Sequence, residues 1–413
     1  MKRIIVLGSG NMGSYIASNL SDDYDVTVAD CSQSNFDKIT KENIHKTRAD
    51  LSKPDVVKEL VSGFDLAVCA LPESLGYDVL KAVVISGINT VDISFWRQSR
   101  ERFSDIESLA NRNNVTVLID CGVAPGLSNA IVSHFDALLD GRTKSAAIYV
   151  GGIPADRERQ FFLTWSINGI FEEYRRKALR VRDGMPEKVE ALSSIENIDF
   201  SGVGELEAGI TDGLRTLPYN LPHVRSMSEF TLRYPGYFHQ MKILSELGYF
   251  DEELVEMHTD AVTAADVSNV LMKSKDSEKY EAVLDRLGFL DNDEKYECAG
   301  KSVSPRKIAS CVLSKTWEKK SEDRDLLVMR ISADNGKNGY EVDLFAKHNG
   351  TDSAMAITTG GMAVLGTKAV AEKLFDKKGV FPLENVVKKS PEMMQYFING
   401  MKRLGVKYEQ RKK

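Results

Sequence analysis

The chain has 413 residues, with 54 Lys and Arg against 60 Asp and Glu, a formal net charge of −6 and 42% hydrophobic residues. That composition is ordinary for a globular protein and excludes collagen-like, low-complexity and wholly disordered chains. The mildly acidic balance lacks the basic footprint of a nucleic-acid binder. No apolar run approaches the roughly 18–20 residues that cross a bilayer. Neither nucleic acid nor membrane is therefore expected as a partner.

The first residues, MKRIIVLG, are basic and then apolar, but the apolar run stops at Leu7, too short for the core of a secretory signal. The five cysteines, Cys31, Cys69, Cys121, Cys298 and Cys311, form no CxxC pair. Their spacing supports neither a disulfide framework nor a zinc site. A cytoplasmic protein with free thiols and no metal is expected.

Residues 3–7 (RIIVL) read as a strand buried on both faces of a parallel sheet. Gly8-Ser9-Gly10-Asn11-Met12-Gly13 follows at once, a full G-x-G-x-x-G, and Met12, Ile16, Ala17 and Leu20 continue at helical spacing. Residues 25–30 (DVTVAD) read as a second strand that ends in an acid. A glycine-rich turn alone is weak evidence, but this order of strand, turn, helix and acid is the context a dinucleotide fingerprint requires. The glycines serve a tight turn, close approach of backbone to pyrophosphate, and close helix–strand packing, while the helix start supplies free N–H groups to the phosphates. Asp30 is placed to accept hydrogen bonds from a ribose 2′-OH and to repel a 2′-phosphate. The next residues, Cys31-Ser32-Gln33-Ser34, offer no arginine to a phosphate, so NAD is expected over NADP.

The alternation continues with strands at 65–71 (DLAVCAL), 90–94 (TVDIS) and 115–120 (VTVLID), and helices at 77–85 and 97–111. Strands alternating with helices make a doubly wound parallel sheet, whose ligands bind outside the carboxyl ends of its strands. Cofactor contacts are accordingly expected at Gly8, Gly10, Asn11, Met12, Gly13, Asp30, Asp50, Ala70, Leu71 and Pro72.

The pattern changes at residues 122–126 (GVAPG), a turn-rich exit before a helix at 127–139. Strand-like stretches follow at 146–151, 229–232, 326–331, 340–346 and 354–358, with a charged, helix-prone segment at 276–293. A mixed sheet with helices on one side fits this α+β pattern. A helix at 363–375, the segment GVFP at 379–382 and a helical tail are expected to pack back on the first domain and close a cleft. The expected division is a Rossmann domain over 1–125, an α+β substrate domain over 126–358 and C-terminal helices over 359–413. Arg215, in TDGLR, and Arg233, in TLRYPG, stand beside turns where an arginine fork can hold a carboxylate, or equally a structural ion pair. His134 and His239 are isolated, and Tyr174 reads as core.

Taken together, 120–129 (DCGVAPGLSN), 149–154 (YVGGIP), 164–174 (TWSINGIFEEY), 206–215 (LEAGITDGLR) and 231–236 (TLRYPG) resemble the saccharopine dehydrogenase-like superfamily. The resemblance is nearest to its L-lysine 6-dehydrogenase branch, with 92–95 (DISF) and 379–384 (GVFPLE) also similar, and is weakest over 254–302. It implies an NAD-dependent homodimer that oxidises a C–N bond of an amino acid. The most direct form is oxidative deamination of the 6-amino group of L-lysine to 2-aminoadipate 6-semialdehyde with release of ammonia. A glutamate-forming saccharopine dehydrogenase or a carboxyspermidine-type synthase is the alternative enzyme, and a catalytically silent NAD-binding regulator the alternative class. Two positions depart from the family pattern. Ala124 stands where glutamate-forming enzymes typically carry an aspartate before Pro-Gly, and Tyr237 stands where lysine 6-dehydrogenases commonly carry a histidine. The implied chemistry needs a neutral amine, a proton acceptor and an anchor for the distant carboxylate. Arg215, Arg233 and Tyr237 are the expected substrate contacts, and Asp120, Asp212 and Glu73 the expected acid–base groups.

Overall fold

Six segments, β1 (Arg3–Leu7), β2 (Asp25–Asp30), β3 (Ile44–Arg48), β4 (Leu66–Cys69), β5 (Asn89–Asp92) and β6 (Thr116–Ile119), pair in parallel in the order β3-β2-β1-β4-β5-β6. The computed structural model describes residues 1–273, 277–299 and 301–413. Ile4, Ile5, Val6 and Leu7 are fully buried because helices cover both faces of this sheet. β3 (IHKTR) is the strand that hydrophobic pattern does not reveal, since it lies at the sheet edge and buries only Ile44.

The second sheet is mixed. Its strands are β7 (Ser145–Pro154), β8 (Ala178–Arg182), β9 (Met185–Val189), β10 (Ile195–Phe200), β11 (Gly204–Ile210) and β12 (Ser226–Arg233). Two short ladders, β13 (Val255–Glu256) with β16 (Ser302–Val303) and β14 (Ala261–Val262) with β15 (Tyr296–Glu297), stand apart from it. β17 (Asp325–Asp334) and β18 (Gly339–Lys347) form a long hairpin beside β7. Only the β12–β7 pair is parallel among the described strands of this sheet.

The last part of the chain serves both sheets. β19 (Gly379–Pro382) joins β6 in parallel as a seventh Rossmann strand. The tail does not end in a helix as expected, but in β20 (Lys407–Lys412), paired antiparallel with β18 at the far edge of the second sheet. Cross-strand charge explains this ending, because Arg411 bonds Glu341 at 2.9 Å and Asp343 at 2.6 Å. Between these strands, the helix Gly361–Ala371 packs on β4, β5 and the helix Asn11–Leu20.

The stretch at 354–358 is also not a strand but the start of a helical segment that runs into a π-helical turn, Ala356–Gly360. Buried Asp325 decides this, since its two carboxylate oxygens accept from the N–H groups of Ala354 and Met355 at 2.8 and 3.0 Å. Those are donors that a helix start leaves free. Of the expected helix-prone segment at 276–293, the helix Ser277–Leu287 is seen, and residue 276 lies outside the described residues.

One apolar core runs from Val6, Val28 and Val68 of the Rossmann sheet through Ala130 and Met362 to Leu327 and Met329 of β17. A second, aromatic core gathers Phe161, Phe171, Tyr174, Phe238, Tyr249 and Trp317 among the helices of the second domain. Among the described residues, no helix is long and apolar enough to cross a membrane.

Candidate active site

The glycine loop sits over the carboxyl ends of β1 and β4. Gly8 has φ +98, and a Cβ there would lie 2.4 Å from the Ala70 carbonyl oxygen. A Cβ on Gly13 would lie 1.9 Å from the Gly8 carbonyl oxygen. Gly10 differs, because nothing stands within 4 Å of its missing Cβ. Two glycines are thus required by the protein's own packing, and the third leaves backbone bare toward open space.

Asp30, at the end of β2, is buried and anchors that loop. It accepts from the N–H groups of Ser9 at 2.7 Å and Ser32 at 2.8 Å, and from the Asn35 amide at 3.2 Å. Burial pushes its carboxyl up, but those hydrogen bonds outweigh burial and hold it below its ordinary value. The fold also brings two cations near that sequence proximity did not suggest. Lys38 Nζ lies 3.4 Å from Asn35 Oδ1 and 3.5 Å from Asn11 Oδ1, and Arg48 Nε donates to the Cys31 carbonyl at 3.2 Å. Asp50 bonds the hydroxyl and N–H of Ser52 at 2.6 and 3.1 Å.

A cleft of about 1410 Å³ opens between the two sheets. Gly8, Gly10, Asn11, Met12, Gly13, Asp30, Asp50, Ala70, Leu71 and Pro72 all line it, as do Glu73, Asp120, Asp212 and Arg233. Arg215 and Tyr237 do not. The Arg215 guanidinium is turned into the domain junction, where it bonds both oxygens of Asp120 and the Trp96 carbonyl and stacks 4.1 Å from the Phe95 ring centroid. Tyr237 is 1% exposed and packs behind Arg233 against Phe161, Phe238 and Trp317. Neither therefore lines the cleft where the substrate contacts are expected, and each has one cause, an aromatic or ionic partner inside the protein.

The expected acid–base groups are likewise engaged. Asp120 is tied to Arg215 and to Gln98 at 2.8 Å. Glu73 is ion-paired with Arg176, whose guanidinium is pulled down to about 10 by burial and by nearby Arg215. Asp212 accepts from the Leu179 N–H at 3.2 Å.

The groups that sequence reasoning missed are Glu229 and Thr231 on β12, Thr211 after β11 and Glu173 on the helix Ile167–Arg175. Strand alternation puts Glu229, Thr231 and Arg233 on one face of β12, turned into the cleft. Glu229 Oε2 lies 2.7 Å from the Thr211 hydroxyl, which lies 2.9 Å from the Thr231 hydroxyl, which lies 2.6 Å from Glu173 Oε1. Glu173 stands 3.9 Å from Arg233. Burial pushes Glu229 up to about 8, the Thr211 and Gly213 bonds only partly offsetting it while Glu173 and Asp212 raise it further. Burial raises Glu173 too, with Arg233 and Thr231 pulling it back. The available signal was the period of two in 229–233 (EFTLR), of which only the arginine stood out.

Comparison with known proteins fits both halves of this site. Residues 4–118 match the saccharopine dehydrogenase NADP binding domain, and residues 122–406 match the saccharopine dehydrogenase C-terminal domain. The chain belongs to the saccharopine dehydrogenase family. One relative is the saccharopine dehydrogenase [NADP(+), L-glutamate-forming] of Saccharomyces cerevisiae, 22% identical over 90% of this chain and 91% of its own. The enzyme of the same name from Pyricularia oryzae is 22% identical over 95% and 96%. The mitochondrial alpha-aminoadipic semialdehyde synthase of Rattus norvegicus is 25% identical over 61% of this chain and 29% of its own. Among solved structures, apo saccharopine dehydrogenase (L-Glu forming) from Saccharomyces cerevisiae superposes with a TM-score of 0.79 over 100% of both chains at 18% identity. The chain therefore has the family's two-domain fold and is a dehydrogenase with a nicotinamide-dinucleotide domain.

Proposed function

We propose that this chain oxidises the C–N bond of an amino acid built on the lysine skeleton. The observation that carries this reading is one cleft in which the glycine loop faces the carboxyl-bearing face of β12. When bound, the dinucleotide supplies the hydride acceptor. Gly10 and the N–H groups at the start of the helix Asn11–Leu20 would hold its pyrophosphate, and Asp30 the ribose beside it. The opposite wall binds and orients the amine and provides a carboxylate to take its proton.

The activity of the yeast and Pyricularia relatives supports saccharopine as substrate, with glutamate as product. The charge of the wall supports a second reading, L-lysine. Glu172, Glu173, Asp212, Glu229 and Glu252 face Arg176, Arg233 and Arg306, each of these arginines ion-paired, while Arg97 and Arg102 line the cleft from the Rossmann side. Lysine carries a single carboxylate and a net positive charge, whereas saccharopine must find partners for three carboxylates. Ala124, in the same cleft, adds none.

For the cofactor we propose NAD, because the ionised Asp30 opposes a 2′-phosphate. The matched domain and the yeast relative are named for NADP, and Lys38 and Arg48 are the side chains that would serve that alternative. Purified protein given each dinucleotide with saccharopine or L-lysine, followed by reduced-nicotinamide absorbance, tests all of this. Glutamate without ammonia identifies saccharopine, and ammonia from lysine identifies the second reading. Turnover of neither, with dinucleotide bound, overturns the proposal in favour of a silent dinucleotide-binding regulator.

A further inference from the structure

The identity of the proton acceptor follows from counting protons in the wall. Three oxygen–oxygen contacts of 2.7, 2.9 and 2.6 Å link Glu229, Thr211, Thr231 and Glu173 in series. Each contact needs one proton between its oxygens. The two threonine hydroxyls bring one each. With both carboxyls ionised, one of the three contacts would set lone pair against lone pair inside a buried chain, a costly arrangement. The third proton must therefore reside on a carboxyl.

Which carboxyl holds it is decided by the surroundings. Arg233 is 4% exposed, stands beside Glu173 on the cleft side, and its Nε makes no hydrogen bond. That cation favours charge on Glu173. Glu229 faces Glu173 across the chain and Asp212 from the segment after β11, both of which oppose charge on it, while Thr211 and the Gly213 N–H partly support it. Gly213 also has no room for a side chain, since a Cβ there would lie 2.5 Å from the Glu229 carboxyl carbon. The order of donation is then fixed, from Glu229 to Thr211, to Thr231, to ionised Glu173.

We propose that Glu229 stores the chain's single carboxyl proton, and that Glu173, kept ionised by this order, accepts the proton that leaves the substrate amine. The inference rests on the C–N oxidation reading above. The substrate enters as an ammonium, and one N–H bond breaks as its proton passes to Glu173 Oε2, the oxygen that faces Arg233 at 3.9 Å. The dinucleotide, when bound, would supply the acceptor for the hydride that the adjacent carbon gives up as the nitrogen lone pair forms C=N. Water adds to that bond, and aldehyde and amine separate with one proton released for each turnover. This balance is the same for saccharopine and for lysine. Glu229 is a positioning residue here, since it acts through the two hydroxyls.

The test has two parts. In the infrared spectrum of the protein without substrate at pH 7, E229Q should lose a protonated-carboxyl carbonyl band that the wild type shows. In turnover, E173Q should lose about 10²–10⁴-fold in kcat with dinucleotide affinity unchanged. E229Q, which still donates to Thr211, should stay within a few-fold of wild type while E229A falls much further. An unchanged band in E229Q, or wild-type kcat in E173Q, overturns the proposal. Should the wild-type protein oxidise neither amine, the functional reading fails alone, because the band still reports whether Glu229 holds the proton.

Discussion

Arg215 reaches back from the second domain and takes both oxygens of Asp120 at the end of β6, with Nε 3.2 Å from Oδ2 and Nη2 3.1 Å from Oδ1. Each side chain is 4% exposed. Both residues also hold left-handed backbones, at φ 50 and φ 55, a conformation that persists only where the surroundings over-determine it. The pair reads as a clasp between the domains.

Removing one partner of such a pair leaves an uncompensated buried charge, which costs about 3–5 kcal/mol. R215A should lose stability of that order in urea unfolding, while the KM of the protein that remains folded changes little. The opposite result, normal stability with a strongly raised KM, would return Arg215 to the role of substrate anchor.

The glycine loop offers a separation of folding from binding. In G13A the new methyl would sit 1.9 Å from a backbone oxygen, so the loop must move, and both stability and dinucleotide affinity should drop. In G10A the methyl meets nothing in the protein, so unfolding should stay within about 0.5 kcal/mol of wild type. Its dinucleotide affinity should nevertheless weaken at least about tenfold, because the methyl stands where the pyrophosphate approaches the backbone. Fluorescence titration and urea unfolding of both variants check this, and normal binding by G10A would refute it.

These glycines were legible in the sequence because their context is local, a strand, a turn and a helix in direct succession. The same holds for β1, β2, β4, β5 and β6, whose apolar runs announce burial on both faces. What was not legible depends on distant partners. The helical start at Ala354 is set by Asp325, and the charged β20 is set by Glu341 and Asp343. The candidate site divides in the same way. Asp30 and the cradle follow from spacing, whereas the state of Arg215 depends on Asp120, and Glu173 meets Thr231 only through tertiary folding.

Asp30 performs two tasks that mutation can tell apart. On the NAD reading its charge would oppose a 2′-phosphate, and its oxygens hold the Ser9 and Ser32 N–H groups. D30S removes both. The kcat/KM ratio for NADP over NAD should rise by about tenfold or more, while affinity for NAD falls about 10–100-fold as hydrogen bonds to a charged group, each about 1.5–3 kcal/mol, are lost. A ratio that does not move would mean that Asp30 only shapes the loop, and that Lys38 and Arg48 set the preference.

Glu229 should also leave a mark on the pH dependence of stability. A glutamate in the unfolded chain gives up its proton near 4.5, whereas Glu229 in the fold keeps it to about 8. Between these values the folded state binds the additional proton, so stability falls as pH rises across the window and the loss is complete above it. Asp92, which burial pushes up to about 7, slopes in the same direction and is common to both proteins compared. Glutamine at 229 keeps a donor for Thr211 and cannot titrate. The unfolding free energies of E229Q and wild type should therefore nearly coincide at pH 4.5 and diverge toward pH 8. The variant should become the more stable, by up to about 1.4 kcal/mol for each pH unit crossed. Parallel stability profiles from pH 4.5 to 8 would show that Glu229 is ionised throughout, and the single-proton chain would fall with it.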